Sequence, residues 1–251
     1  MVYESEKYLN EYLLFHYGQP DVVMAWDFGP KEAAGFAARC VSDCIEIGAL
    51  PEKARALDLG CAVGRSSFEL ARYCTEVIGI DFSQSFIRAA VHLRREGHLH
   101  FDRVEQGTLT SRCVARVPGE IDRTRVHFEI GDALKLHATL GDFDVVLAAN
   151  LLCRLEDPIQ LELKFPQLVR PGGQLILVSP YSWSRDFTPP AKWLGGYEND
   201  GRRYDTFETL SDFLKSDFDL IRTRDIPFLI REHARKYQWS VSHGSVWVRR
   251  G

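Results

Sequence analysis

Residues 58–67 read DLGCAVGRSS, and three kinds of group there can do chemistry. Asp58 supplies a carboxylate, Gly60 and Gly64 free the backbone to turn, and hydroxyls follow Arg65. A glycine turn between a strand and a helix aims N–H groups at a ligand, because a helix leaves its first donors without partners. Asp81 ends the next β-rich run, where an acid can hold two ribose hydroxyls. A nicotinamide dinucleotide is the first ligand to weigh. Its G-x-G-x-x-G pattern needs glycine at 60, 62 and 65, and the chain has Gly60, Ala62 and Arg65. The third glycine permits close helix–strand packing, so arginine there argues against a dinucleotide.

Such groups act together only if a sheet carries them to one edge. ARALDLG (54–60), EVIGID (76–81), VHFEIGD (126–132), FDVVLAAN (143–150) and GQLILVSP (173–180) read as strands. GRSSFELARYC (64–74) and SQSFIRAAVHLRREG (83–97) read as helices, the second with Ser83 as N-cap and Gly97 at its end. A further helical stretch, containing Asp157-Pro158, lies between the last two of these strands. Near-continuous apolar runs alternating with helices predict a parallel sheet covered on both faces. A helix over 206–215 and strands over 218–230 and 240–250 follow. The linker between those strands, IREHARKYQW (230–239), is short enough that they must pair antiparallel. The expected fold is α/β, a doubly wound, seven-stranded, mostly parallel sheet with a reversed last strand. We expect one domain: a helical N-terminal cap over 1–50, a core over 54–180, a substrate-side insertion over 181–206, and a helix with a closing hairpin over 207–251. Residues 98–123 interrupt the core as a small hairpin or a flap.

Composition narrows the ligand. Lys and Arg total 31 against 35 Asp and Glu, a net charge of −4, which does not suit a nucleic-acid binder. Cys40, Cys44, Cys61, Cys74, Cys113 and Cys153 contain no C-x-x-C pair, so neither a zinc site nor a disulfide scaffold is expected. MVYESEK lacks the layout of a signal peptide, and VVLAA is too short to cross a bilayer. The expectation is a cytoplasmic protein with reduced thiols, no metal, no nucleic-acid partner and no membrane contact.

The pattern D-x-G-x-x-x-G with a later acid resembles the first motif of class I S-adenosylmethionine (SAM) methyltransferases. That resemblance implies a cofactor site built from Asp58, Gly60, Cys61, Ala62, Gly64, Arg65 and Ser66, with Asp81, Phe82 and Ser83 at the ribose. GDA (131–133) resembles the loop that meets adenine, giving Gly131, Asp132 and Ala133. AANLL (148–152) resembles the position facing the transferred methyl, giving Asn150 and Leu151. RPGGQLILVSP (170–180) resembles the turn and fifth strand of the same class. Over residues 2–249, YLLFHYG (12–18), ALDLGCAVGRSSFELAR (56–72), AANLLCRL (148–155), SPYSW (179–183), KWLGGYENDGR (192–202) and PFLIREHARKYQW (227–239) resemble one family. It is the 4-mercaptohistidine N-methyltransferase of ovothiol biosynthesis, often the C-terminal domain of a bifunctional ovothiol synthase. The resemblance implies transfer of the SAM methyl to a ring nitrogen of thiohistidine or its selenium analogue, giving ovothiol A or its selenol counterpart, with S-adenosylhomocysteine (SAH) as co-product. The chain begins at Met1 without a thiol-forming domain, so a separate upstream enzyme is expected to supply the substrate. Cys153 departs from the family by standing where an acid is expected.

Methyl transfer from a sulfonium is an in-line displacement, and thiohistidine offers two nucleophiles, nitrogen and the more polarisable sulfur. The pocket must therefore fix the ring, the α-carboxylate and the α-ammonium. Arg231 and Arg235 are candidates for the carboxylate, with Tyr237 and Trp239 behind the ring; solvated charge is the competing reading. Tyr181, Trp183, Lys192 and Trp193 follow the fifth strand, where acceptor contacts are expected, against simple loop packing. Tyr12, His16 and Tyr17 can form a lid or a buried helix face. Asn150 is the candidate beside the methyl, and His233 a candidate base because imidazole titrates near neutrality. A methyltransferase of another imidazole, phenol or thiol, or a non-catalytic SAM-binding module, stays open beside the leading reading.

Overall fold

The computed structural model describes residues 4–137 and 140–251. The N-terminal segment folds as α1 (Glu6–Tyr17), α2 (Pro20–Val23) and α3 (Phe36–Ser42). Ser5 caps α1 by accepting from the Tyr8 N–H. The alternating part follows as β1 (Arg55–Leu59), α4 (Arg65–Leu70), β2 (Glu76–Asp81) and α5 (Gln84–Glu96). Ser83 caps α5 by accepting from the Phe86 N–H, and Gly97 closes it at φ 78°. An inserted hairpin, β3 (His98–Gln106) and β4 (Leu109–Arg116), resolves the interruption over 98–123. Then come β5 (Val126–Ile130), β6 (Phe143–Ala149), α6 (Pro158–Glu162), α7 (Phe165–Leu168) and β7 (Val169–Ser179). A small ribbon of β8 (Tyr197–Asn199) and β9 (Arg202–Tyr204), then α8 (Thr206–Leu214), β10 (Phe218–His233) and β11 (Lys236–Arg249) complete the chain.

The seven-stranded sheet runs β5-β2-β1-β6-β7-β11-β10. β11 is antiparallel to both its neighbours, and the remaining pairs are parallel. Successive strand residues point to opposite faces, and the burial follows that period. Ala56, Val145, Ile176 and Val246 enter one core with α1, α3, α4 and α5. Leu57, Val146, Leu177 and Trp247 enter the other with α6, α7 and α8. Both faces of the central strands are thus dry, which explains why β1 and β6 read as nearly unbroken apolar runs.

Three expectations need correction. The stretch 230–239 is not a linking loop; β10 and β11 run through it and turn at Ala234 and Arg235. The helical stretch after β6 is two short pieces, with Pro166 in the first turn of α7, where a missing N–H costs nothing. β7 begins at Val169, before Pro171-Gly172-Gly173, and absorbs the turn as a register shift between Phe143 and Val145.

Candidate active site

The β1–α4 turn is built around a buried carboxylate. Asp58 accepts from Ser66 Oγ at 2.7 Å and Ser67 Oγ at 2.6 Å, pinning the first turn of α4 beneath the loop. Burial pushes its pKa up to about 6, the two hydroxyls acting in the opposite sense. Gly60 and Gly64 are left-handed at φ 72° and 85°, and Ala62 joins them at 47°. A side chain at 64 would strike the Phe128 ring at 2.5 Å, so only glycine fits there. The turn is fastened to the next strand: Asp81 accepts from the Ala62 N–H at 2.9 Å and the Ser83 N–H at 2.8 Å. Burial holds the Asp81 carboxyl above its ordinary range, against those two bonds.

A cavity of about 810 Å³ opens at the C-terminal ends of these strands, where open α/β sheets bind their ligands. Gly60, Ala62, Ser66, Asp81, Phe82, Ser83, Gly131, Asp132, Ala133, Asn150 and Leu151 all line it. Phe82 is 58% exposed, an aromatic face left open beside Asp81. Asp132 accepts from the Leu134 N–H at 2.9 Å, which orients its carboxylate at the cavity wall. The donor set suits SAM: a carboxylate for the ribose diol, an open ring and an acid for adenine, and a backbone turn for the methionine end. Asp58, Cys61, Gly64 and Arg65 lie behind this lining. Cys61 is fully buried, and Arg65 pairs with Glu69 at 2.7 Å.

The other half of the cavity is walled by Tyr12, Phe15, His16, Phe36, Phe86, Phe228 and Ile230, with Gln238, Ser240 and Val241 of β11. His16 is buried, and burial together with the nearby Arg65 guanidinium pushes its pKa down to about 3. Its ring is neutral, and among the described residues its buried Nδ1 has no hydrogen-bond partner. Tyr17 turns away, donating its hydroxyl to Val63 O at 2.8 Å. Arg154 and Glu156 lie at the rim, both exposed, and among the described residues neither has an ion-pair partner. Arg154 stacks over the Phe187 ring at 4.6 Å.

The charged hairpin supplies none of its expected ligands to this lining. Arg231 is 4% exposed; it pairs with Glu105 of β3 and donates to Val22 O at 3.1 Å. Arg235 sits at the tip, stacked 5.2 Å from the Trp26 ring. His233 Nδ1 accepts from the Arg235 N–H, Tyr237 donates to Ala234 O, and Trp239 is 55% exposed outside the lining. Tyr181 meets His243 Nδ1 at 2.8 Å, Trp183 donates to Thr206 Oγ1, Trp193 donates to Thr188 O, and Lys192 pairs with Asp157 at 3.0 Å. These four residues brace the insertion and stand outside the cavity. Arg154, Glu156, Gln238 and Ser240 went unread in the sequence. The legible signal was the alternation Gln238, Ser240, Ser242 on β11, opposite Ile230, Phe228 and Ile226 of β10. A polar row facing an apolar row across one ladder marks a wall that meets something other than core.

The comparisons with known proteins agree with this geometry. Residues 57–175 match a family model described as a methyltransferase domain. Phosphoethanolamine N-methyltransferase 3 of Arabidopsis thaliana is 25% identical over 138 residues, which cover 53% of this chain and 23% of that protein. Phosphoethanolamine N-methyltransferase 1 of Zea mays is 24% identical over 61% of this chain and 26% of its own. The chain thus spans about a quarter of the length of these curated relatives. Among solved structures, the cyclase SpnF superposes with a TM-score of 0.60 at 17% identity, covering 99% of this chain and 94% of that one. Magnesium protoporphyrin IX methyltransferase from Synechocystis PCC 6803, with bound SAH, gives 0.50 at 20% identity over 85% and 80% of the two chains. The fold is that of the class I SAM-dependent methyltransferases. Residues 57–175 thus match a methyltransferase domain, and an enzyme that takes SAM is the class this match supports. Among the described residues no His, Cys, Asp or Glu cluster is arranged for a metal ion, and no helix is long and apolar enough to cross a membrane.

Proposed function

We propose that the chain methylates a ring nitrogen of 4-mercaptohistidine, or of its selenium analogue, with SAM as donor and an upstream thiol- or selenol-forming enzyme as the source of the acceptor. One observation supports this most: the acceptor half of the cavity pairs aromatic walls with Arg154 and Glu156 at its rim. Aromatic faces suit a flat ring, a guanidinium suits an α-carboxylate, and a carboxylate suits an α-ammonium. This replaces Arg231 and Arg235 with Arg154 as the cation for the substrate.

When bound, SAM supplies the electrophilic methyl. The chain's own residues hold the acceptor: Tyr12, Phe36 and Phe228 restrict the ring plane, and the rim charges restrict its rotation. Fixing the nucleophile against the methyl in this way accounts for up to ~7–11 kcal/mol in favourable intramolecular reactions. It also selects nitrogen over sulfur by placement. His16 lies inside the wall as an uncharged ring, and with its pKa pushed down to about 3 it lines the pocket and does not act as a base.

The relatives' names suggest a second reading, because a guanidinium at Arg154 also suits a phosphate. Phosphoethanolamine could use the aromatic wall only through its ammonium, by cation–π contact, whereas a flat ring meets the faces directly, which favours the first. Incubation with SAM and 4-mercaptohistidine, histidine or phosphoethanolamine, followed by mass spectrometry, separates them. Methylation of the thiolated acceptor well ahead of the others is expected; faster methylation of phosphoethanolamine overturns the proposal.

A further inference from the structure

Asn150 adopts a left-handed backbone, φ 52°, where β6 leaves the sheet. Asparagine is one of the few residues other than glycine that tolerate this conformation. Its N–H donates to Val178 O at 2.7 Å, which holds the turn, and the residue lines the cavity. That side chain is also held. Ser242 Oγ donates to Asn150 Oδ1 at 2.8 Å, and Ser242 is fully buried on β11, opposite Ile226. A hydroxyl buried beside isoleucine destabilises the fold unless it is bonded, so the contact with Asn150 is what gives serine a reason to be there.

The two edges of a carboxamide are chemically different: the oxygen only accepts and the NH₂ only donates. With Oδ1 turned to Ser242 in the sheet, the NH₂ is the edge left for the cavity. We infer that Ser242 is a positioning residue that presents the Asn150 NH₂ as a hydrogen-bond donor to the methyl acceptor, selecting a lone-pair or anionic group there over an N–H. The inference rests on the proposed reading of the acceptor. In a thiohistidine the matching groups are the second ring nitrogen, the thiolate and the carboxylate. An acceptor arriving as an ammonium would face a donor with a donor.

The test is a double-mutant cycle on the full chain, with SAH affinity measured beside acceptor turnover. Ser242→Ala should raise acceptor KM or lower kcat by roughly tenfold, the loss of about one hydrogen bond, while SAH affinity holds within about twofold. Ser242→Thr, which keeps the hydroxyl, should restore most of it. Asn150→Ala with Ser242→Ala should be no worse than Asn150→Ala alone. Additive losses, or equal losses in SAH and acceptor binding, overturn the inference. In SAH-loaded protein without any acceptor, the Asn150 side-chain amide signals in NMR should shift in Ser242→Ala; unchanged signals also overturn it. Absence of wild-type turnover with 4-mercaptohistidine would instead remove the proposed substrate, leaving the amide signals to decide the role of Ser242.

Discussion

Arg231 and Glu105 form an ion pair across 126 residues of chain, tying the closing hairpin to the inserted one. The guanidinium is almost wholly buried and also meets the carbonyls of Val22 and Val23. Three segments therefore converge on one side chain. Removing Arg231 leaves the Val22 and Val23 carbonyls without their donor, while Glu105, partly exposed, keeps Arg103, so the loss is about 2–3 kcal/mol. Arg231→Ala should lower the melting temperature by roughly 5–10 °C. At temperatures where the variant is folded, SAH and acceptor affinities should stay close to wild type. A selective loss of acceptor binding, with stability unchanged, would return Arg231 to the substrate.

Arg154 carries the opposite expectation. It is exposed, stacked on Phe187 and placed at the cavity rim. Arg154→Met should raise the KM for 4-mercaptohistidine about 10- to 100-fold, the loss of a charge-assisted bond, with little change in thermal stability or SAH affinity. The same variant should treat the decarboxylated substrate as the wild type does. Equal losses on both substrates would count against a carboxylate contact.

Asp81 should govern the cofactor. Its carboxylate already holds the Ala62 and Ser83 N–H groups and faces the cavity. Asp81→Asn should weaken SAH binding about tenfold or more, measured by calorimetry. Because burial raises the Asp81 pKa, wild-type affinity should fall on acidification earlier than an ordinary aspartate would allow. An affinity flat down to the ordinary carboxylate range would contradict this.

Glu162 gives a stability prediction. It is 3% exposed, among the described residues neither carboxyl oxygen has a hydrogen-bond partner, and burial pushes its pKa up to about 8. A folded-state pKa above the unfolded value means the folded form binds the proton more tightly. Its stabilising contribution is complete below the ordinary glutamate value of 4.5 and is lost as pH rises through 8. Glu162→Gln removes the titration, so its melting temperature relative to wild type should climb between those limits and level off above them. A pH-independent difference would contradict the burial argument.

The strand-end half of the cavity was legible because its signals are local. Gly60, Gly64, Asp81 and Asp132 each sit within a turn of the strand end that positions them, and strand, turn and acid lie together in the text. The parallel order and the reversed strand followed from the same short-range rhythm. The acceptor half was not legible, because its geometry depends on partners far apart in sequence. The charges of 230–239 are taken up by Glu105 against Arg231 and Trp26 against Arg235, both distant in sequence. The place of Arg154 at the rim was not legible because it is set by Phe187, brought in by the insertion.

The most direct test of the central claim is the position of the transferred methyl. With SAM carrying a carbon-labelled methyl and 4-mercaptohistidine as acceptor, NMR of the product should place the label on a ring nitrogen, coupled to the imidazole carbons. A label on sulfur, or no labelled thiohistidine at all, would contradict the account.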